Sequence, residues 1–181
     1  VQRYGAKDDK TKMEKYLQIS QSELTHLANM IEKVLQLDMD EVKGIVLLKV
    51  PIDIKLLVLE VIELSKLGAN KEVHVNLLVD DDDFWLNADA SHLKNVFNNL
   101  LDNAIKYTDN GQIYLNIKCI NDLNKNISNL IISCQDTGKG IKQEDIKKIF
   151  GSFTRSDEIN NASIEGTGLG MTITKRLIDK M

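Results

Sequence analysis

From Asp9 to about Leu37, apolar residues return in alternating steps of four and three: Met13, Leu17, Leu24, Leu27, Ile31 and Val34, with Ser20 the one polar member of the series. That spacing is the a/d seam of a helix roughly 40 Å long, at about 1.5 Å per residue. Such a seam must be covered. Packing inside one domain could cover so short a stripe, but a helix of this length ahead of a separate domain points to a second helix or a second chain. Only one proline, Pro51, interrupts the 181 residues, so other long elements are permitted.

Asp38 to Gly44 breaks the pattern with acidic residues and a glycine, which places a linker there and divides the chain into residues 1–43 and 44–181. Beyond it, Ile45–Val50 is strand-like, Ile54–Leu67 has helical spacing with Gly68 as C-cap, and Val73–Val79 alternates as a half-buried strand does. Asp80–Asp83 is an acidic turn without the spaced oxygen ligands and glycine of a calcium loop. A helix over Ala90–Tyr107 leads to a turn at Asp109-Asn110-Gly111 and to strands over Gln112–Ile120 and Asn129–Gln135. A helix over Lys142–Phe150, a polar loop and a last helix from about Met171 close the order, which predicts an α+β two-layer sandwich.

An apolar content of 43% suffices for a core, and a net charge of −4 argues against a nucleic-acid partner. No apolar run approaches the roughly 20 residues that span a bilayer, and no signal peptide opens the chain, so no direct membrane contact is expected. Cys119 and Cys134 lie in strand-like apolar stretches and are expected to be buried free thiols.

Four clusters carry chemistry. Asn95, Asn99 and Asn103 stand one helical turn apart on one face of the Ala90 helix, with Lys106 at its edge and Leu100, Leu101, Ala104 and Ile105 on the buried side. Amide oxygens beside an ammonium suit a magnesium ion and phosphate oxygens. A solvated polar face is the plain alternative, but asparagine is a poor helix former and three in register call for a reason. Asp136-Thr-Gly-Lys-Gly140-Ile141 follows a strand; its carboxylate suits the exocyclic amine of adenine, and its glycines allow close backbone approach. Taken alone, that cluster would be a glycine-rich turn. Ile149-Phe-Gly-Ser-Phe-Thr-Arg155 offers two phenylalanines, ordinarily core, and a guanidinium able to reach phosphate. Gly166-Thr-Gly-Leu-Gly170-Met171 opens a helix whose amides and dipole suit an anion, without the strand and glycine spacing of a dinucleotide fingerprint.

In this order the clusters resemble the N, first glycine, F and second glycine boxes of the histidine-kinase branch of the GHKL ATPases. The boxes span Leu93 to Met171 and the whole resemblance runs from about Asp9 to Met181. It implies the GHKL (Bergerat) fold, a mixed sheet covered on one face by helices, preceded by the second helix of a dimerisation hairpin. It implies that Asn99 and Asn103 hold magnesium and phosphate, that Lys106 contacts phosphate and that Tyr107 covers the adenine. Asp136 would read the adenine amine, aided by Gly138 and Gly140, with Ile141, Phe150 and Phe153 also lining the nucleotide. The loop from about Phe153 to Ile164 resembles the family's mobile lid, hinged at Gly166, Gly168 and Gly170. Thr167, Leu169 and Met171 complete the second glycine box, and Arg155 joins Asn99 and Lys106 as a catalytic residue.

The implied activity is transfer of the ATP γ-phosphate to a histidine, with ATP and Mg2+ as cofactors, a response-regulator receiver domain as partner and a homodimer through the hairpin helices. The resemblance also implies a cytoplasmic piece of a membrane-anchored sensor. This chain departs from the family in two respects. No acceptor histidine followed by an acidic residue is present: His26 precedes Leu-Ala-Asn, His74 lies in a strand and His92 just before the N box. The chain is therefore expected not to phosphorylate itself. The family domain also continues past its last helix into two strands, which are expected to be missing after Met181. Competing readings are an ATPase, a non-catalytic nucleotide-binding module and a serine kinase of the anti-sigma type. ATPase relatives carry a water-activating glutamate where this chain has Asn99, and an amide is no base.

Overall fold

The computed structural model describes residues 10–43, 46–67, 72–80, 85–122, 127–151 and 168–181. It comprises two compact units, Val1–Gly44 and Ile45–Met181. In the first, one helix, α1 (Lys10–Lys43), runs for 34 residues, about 50 Å. It continues through Asp38–Lys43, where the acidic composition predicts a linker. Asp and Glu each cost a helix only tenths of a kcal/mol, and Gly44 is the first residue there with a large penalty. Met13, Leu17, Leu24, Leu27, Ile31 and Val34 are all exposed, as befits a lone helix that cannot bury its own stripe.

The second unit runs β1 (Val50–Asp53), α2 (Ile54–Leu67), β2 (Glu72–Val79), β3 (Trp85–Ala88), α3 (Ala90–Tyr107), β4 (Asn110–Asp122), β5 (Ile127–Asp136), α4 (Gln143–Ile146) and α5 (Gly170–Lys180). The bounds of α2 and α3 are those predicted by their spacing. The first strand is displaced: it starts at Val50 rather than Ile45 and includes Pro51, which pairs with Asn87 of the unexpected β3. A two-stranded antiparallel ribbon is all edge, so it tolerates a residue without an N–H. Residues 46–49 are irregular.

The larger sheet has the order β2-β4-β5, with β2 parallel and β5 antiparallel to β4. Alternation along β4 turns Ile113, Leu115 and Ile117 inward, each fully buried. Against them pack Ile54, Leu57, Val58, Val61 and Ile62 of α2 and Leu93, Phe97, Leu101 and Ala104 of α3. One face of the sheet is thus covered by helices, giving the α+β sandwich. A buried side chain such as Phe97 contributes about 2–3 kcal/mol to this arrangement. The free thiols of Cys119 and Cys134 are half-buried rather than fully buried.

Where a helix over Lys142–Phe150 was expected, α4 makes a single turn. The Lys148 N–H then donates to the Asp145 carbonyl and the Gly151 N–H to the Lys148 carbonyl, three-residue bonds that tighten the chain out of α-helix. Among the described residues no helix is long and apolar enough to cross a membrane.

Candidate functional site

The site is organised around α3. Asp89 caps its N-terminus: Oδ1 accepts the His92 N–H at 3.0 Å, while Oδ2 accepts the Leu48 N–H at 2.8 Å. The carboxylate is 5% exposed, and the His92 ring nitrogen Nδ1 stands 2.9 Å from Oδ1. Burial pushes the carboxyl up, but the bonds from His92 and Leu48 and the charge of the imidazole outweigh it and hold the pKa down at about 2. Below this cap, Asn95, Asn99 and Asn103 are half-buried on one face, while Val96, Phe97 and Leu101 are fully buried on the other. Leu100 and Ile105, expected on the buried side, are half-buried. At the last turn, Lys106 Nζ lies 5.5 Å from the centroid of the Tyr107 ring, a cation–π contact.

The turn after β5 is laced to the end of this helix. Asp136 is exposed, and its Oδ1 accepts the Gly138 N–H at 2.9 Å. The Lys139 N–H donates to the Tyr107 carbonyl at 3.3 Å, and the Thr137 N–H to the Gln112 carbonyl at 3.1 Å. Gly138 leaves no room for a side chain, because a Cβ there would stand 2.2 Å from the Tyr107 carbonyl oxygen. One Asp136 oxygen thus shapes the turn. Gly140 takes left-handed backbone at φ +72° and Ile141 is exposed.

The start of α5 closes the other side. Asn99 Nδ2 donates to the Thr174 hydroxyl at 3.2 Å, and a Cβ at Gly170 would stand 3.2 Å from Asn99 Oδ1. No side chain caps α5 at Leu169. Leu169 itself is fully buried, so only its backbone can face a ligand; Gly168, Gly170 and Met171 are half-buried. The Thr172 hydroxyl donates to the Phe150 carbonyl at 3.1 Å, and the Phe150 ring is exposed rather than in the core. Phe153, Arg155, Gly166 and Thr167 lie outside the described residues.

The donor set fits a magnesium nucleotide better than a bare ion. Among the described residues no group of three or more His, Cys, Asp or Glu could hold a metal. Two neutral amides, Asn99 and Asn103, cannot strip the hydration shell of Mg2+ unaided, whereas phosphate oxygens bring the missing charge. Sequence patterning missed two polar residues, Asp89 and Thr174. An aspartate directly before an apolar-periodic helix is a cap signal for the first; nothing local marks the second.

Residues 88–181 match the family described as histidine kinase-, DNA gyrase B-, and HSP90-like ATPase. The chain belongs to that family. Within it, this ATPase domain is of the sensor histidine kinase type. It is similar to the sensor protein GacS of Pseudomonas syringae pv. syringae, 30% identical over 168 residues that make up 92% of this chain and 18% of GacS. Sensor histidine kinase WalK of Bacillus subtilis (strain 168) is 28% identical over 177 residues, 96% of this chain and 28% of WalK. The domain and its leading helix thus span less than a third of either relative. Among solved structures, full-length ShkA in complex with AMPPNP matches with a TM-score of 0.77 at 26% identity, covering 94% of this chain and 34% of that one. The nucleotide-free catalytic domain of histidine kinase ThkA matches with a TM-score of 0.60 at 27% identity, covering 73% of this chain and 80% of that one.

Proposed function

We propose that the chain binds Mg-ATP along the asparagine face of α3 and donates the γ-phosphate to a histidine on an acceptor helix, for relay to a response-regulator receiver domain. One observation carries the reading: the three polar boxes within the described residues meet at α3. Its middle touches Gly170, and its last residue is locked to the Asp136–Gly138 turn.

In this reading the amide oxygens of Asn103 and Asn99 face the metal, and Lys106 holds a phosphate oxygen. Tyr107 covers the base, Asp136 reads its amine, and the glycine-rich start of α5 presents amides to phosphate. Ile141, Phe150 and Phe153 line the nucleotide, and Arg155 offsets phosphate charge. Bound magnesium would neutralise the phosphate oxygens as charge develops on them. Positioning and charge neutralisation do most of the work of phosphoryl transfer. The amide of Asn99 cannot take a proton from water, which favours transfer over hydrolysis.

None of the three histidines has the sequence context of an acceptor. His74 lies on the outer face of β2, His92 lies beside the Asp89 cap, and His26 lacks a following acid. The exposed seam of α1 supports a dimer through hairpin helices, in the cytoplasmic part of a membrane-anchored sensor.

Titration calorimetry tests the reading. The wild-type chain should bind Mg-ATP but not Mg2+ alone, and Asn103→Ala should lose the magnesium-dependent part of the affinity. No binding of Mg-ATP by the wild type would overturn it. With γ-labelled ATP the chain alone should stay unlabelled, and acid-labile phosphate on His26 would refute that part.

A further inference from the structure

We infer that Thr174 is a positioning residue for the nucleotide site, its hydroxyl holding the Asn99 amide so that the amide oxygen faces the start of α5. The inference rests on Asn99 being a metal ligand, as proposed above.

An asparagine side chain has two ends of nearly equal size and opposite hydrogen-bonding character. Without a fixed partner the amide can turn over, presenting two donors where a cation needs an oxygen. In this protein both ends are bracketed by one helix. Asn99 Nδ2 lies 3.2 Å from Thr174 Oγ1, and Thr174 is 2% exposed, so water does not compete for that contact. On the other side, Asn99 Oδ1 is the atom closest to where a Cβ at Gly170 would be, at 3.2 Å. A hydroxyl can pair with either end of an amide, so the end is selected at Gly170, whose Cα–H tolerates an oxygen but offers an amide nitrogen nothing to donate to.

Residues 170 and 174 are one helical turn apart, so both brackets lie on the same face of α5. That face is itself held in place. Thr172 ties the helix to the Phe150 carbonyl, and Ile173 and Leu177 are buried. The orientation of Asn99 is therefore set by the second glycine-box helix, 75 residues away in sequence.

Thr174→Val keeps the shape and removes the acceptor; Thr174→Ser keeps the acceptor and removes the methyl. Calorimetry on the full chain should show Mg-ATP affinity falling about three- to tenfold in Thr174→Val and recovering in Thr174→Ser, as expected for one partly buried hydrogen bond. Metal-free ADP, titrated in EDTA, should bind both variants as it binds the wild type, because it does not call on the Asn99 oxygen. Equal Mg-ATP affinity in wild type and Thr174→Val would overturn the inference while leaving the site intact. A parallel loss for Mg-ATP and metal-free ADP would overturn it as well, since that is the mark of general destabilisation. If the wild type binds no Mg-ATP, the underlying reading fails and this one with it.

Discussion

Gly138 rests directly on the carbonyl of Tyr107: a Cβ at 138 would stand 2.2 Å from the oxygen and 2.8 Å from the carbon. Real Cβ contacts do not come so close, and both obstructing atoms are backbone. The end of α3, which carries Lys106 and Tyr107, and the turn that carries Asp136 therefore hold one another at a fixed distance. The two halves of the proposed adenine site are set by this contact.

Gly138→Ala should force either the helix end or the turn to shift. A destabilisation of about 1–3 kcal/mol is expected, as for other overpacked sites. ATP affinity should fall at least tenfold, because base and phosphate groups would no longer be in register. Denaturant unfolding and calorimetry check both effects, and an alanine variant with wild-type stability and affinity would contradict the contact.

Asp89→Ala should cost about 1–2 kcal/mol, as the loss of a helix cap does, with the Leu48 N–H losing its partner too. The pH dependence has a definite sign. The carboxyl is lowered in the folded state to about 2 from an ordinary 3.8. Its contribution is therefore fully present above about pH 4 and is lost as pH falls from there through 2. Wild type and variant should converge in stability toward pH 2, measured by thermal unfolding. A gap that stayed constant down to that pH would refute the assignment.

Asp136 should make the site distinguish ATP from GTP, which presents an oxygen where adenine presents an amine. Two facing acceptors go unpaired, a loss of several-fold to a thousandfold, or roughly 1–4 kcal/mol. Asp136→Asn should weaken ATP while narrowing the preference, because an amide can turn to donate. Since Asp136 Oδ1 also holds the Gly138 N–H, some loss common to both nucleotides is expected. Equal wild-type affinity for the two nucleotides would remove Asp136 from the base.

Cys134 should be a slow nucleophile. Burial, with the charge of Asp136 added, pushes its thiol up to about 11 from 9.0. Alkylation in the folded protein at pH 8 should run roughly a hundredfold slower than in denaturant, in proportion to the thiolate. Mass spectrometry of iodoacetamide-treated protein reads this directly, and rapid labelling of Cys134 would show the strand to be more open than its packing indicates.

The elements legible in advance are those whose pattern is long. Helices α2 and α3 repeat their apolar spacing over 14 and 18 residues, and both ends of each were predicted. Strand β3 has four residues, too few to show a period, and β1 is placed by its pairing with β3 rather than by the apolar run before it. Helix α1 runs longer than its composition predicts, because the acidic residues at its end mimic a linker although a helix accommodates them. The expected helix at 142–150 has an acceptable composition, but its end tightens into turns and the Phe150 carbonyl is taken by Thr172.

The chemistry of the proposed site is legible along the chain. Which face of α3 is polar, which turns are glycine-rich and in what order the boxes come follow from residue type and spacing, and these are local properties of the chain. How those groups are oriented comes from packing between distant elements. That Asp89 reaches back to Leu48, 41 residues earlier, and that Thr174 grips Asn99, 75 residues earlier, depends on helices and strands packing at a few ångströms. A hydrogen bond works over about 3 Å whatever the chain length between its ends, so no periodicity along the sequence announces it.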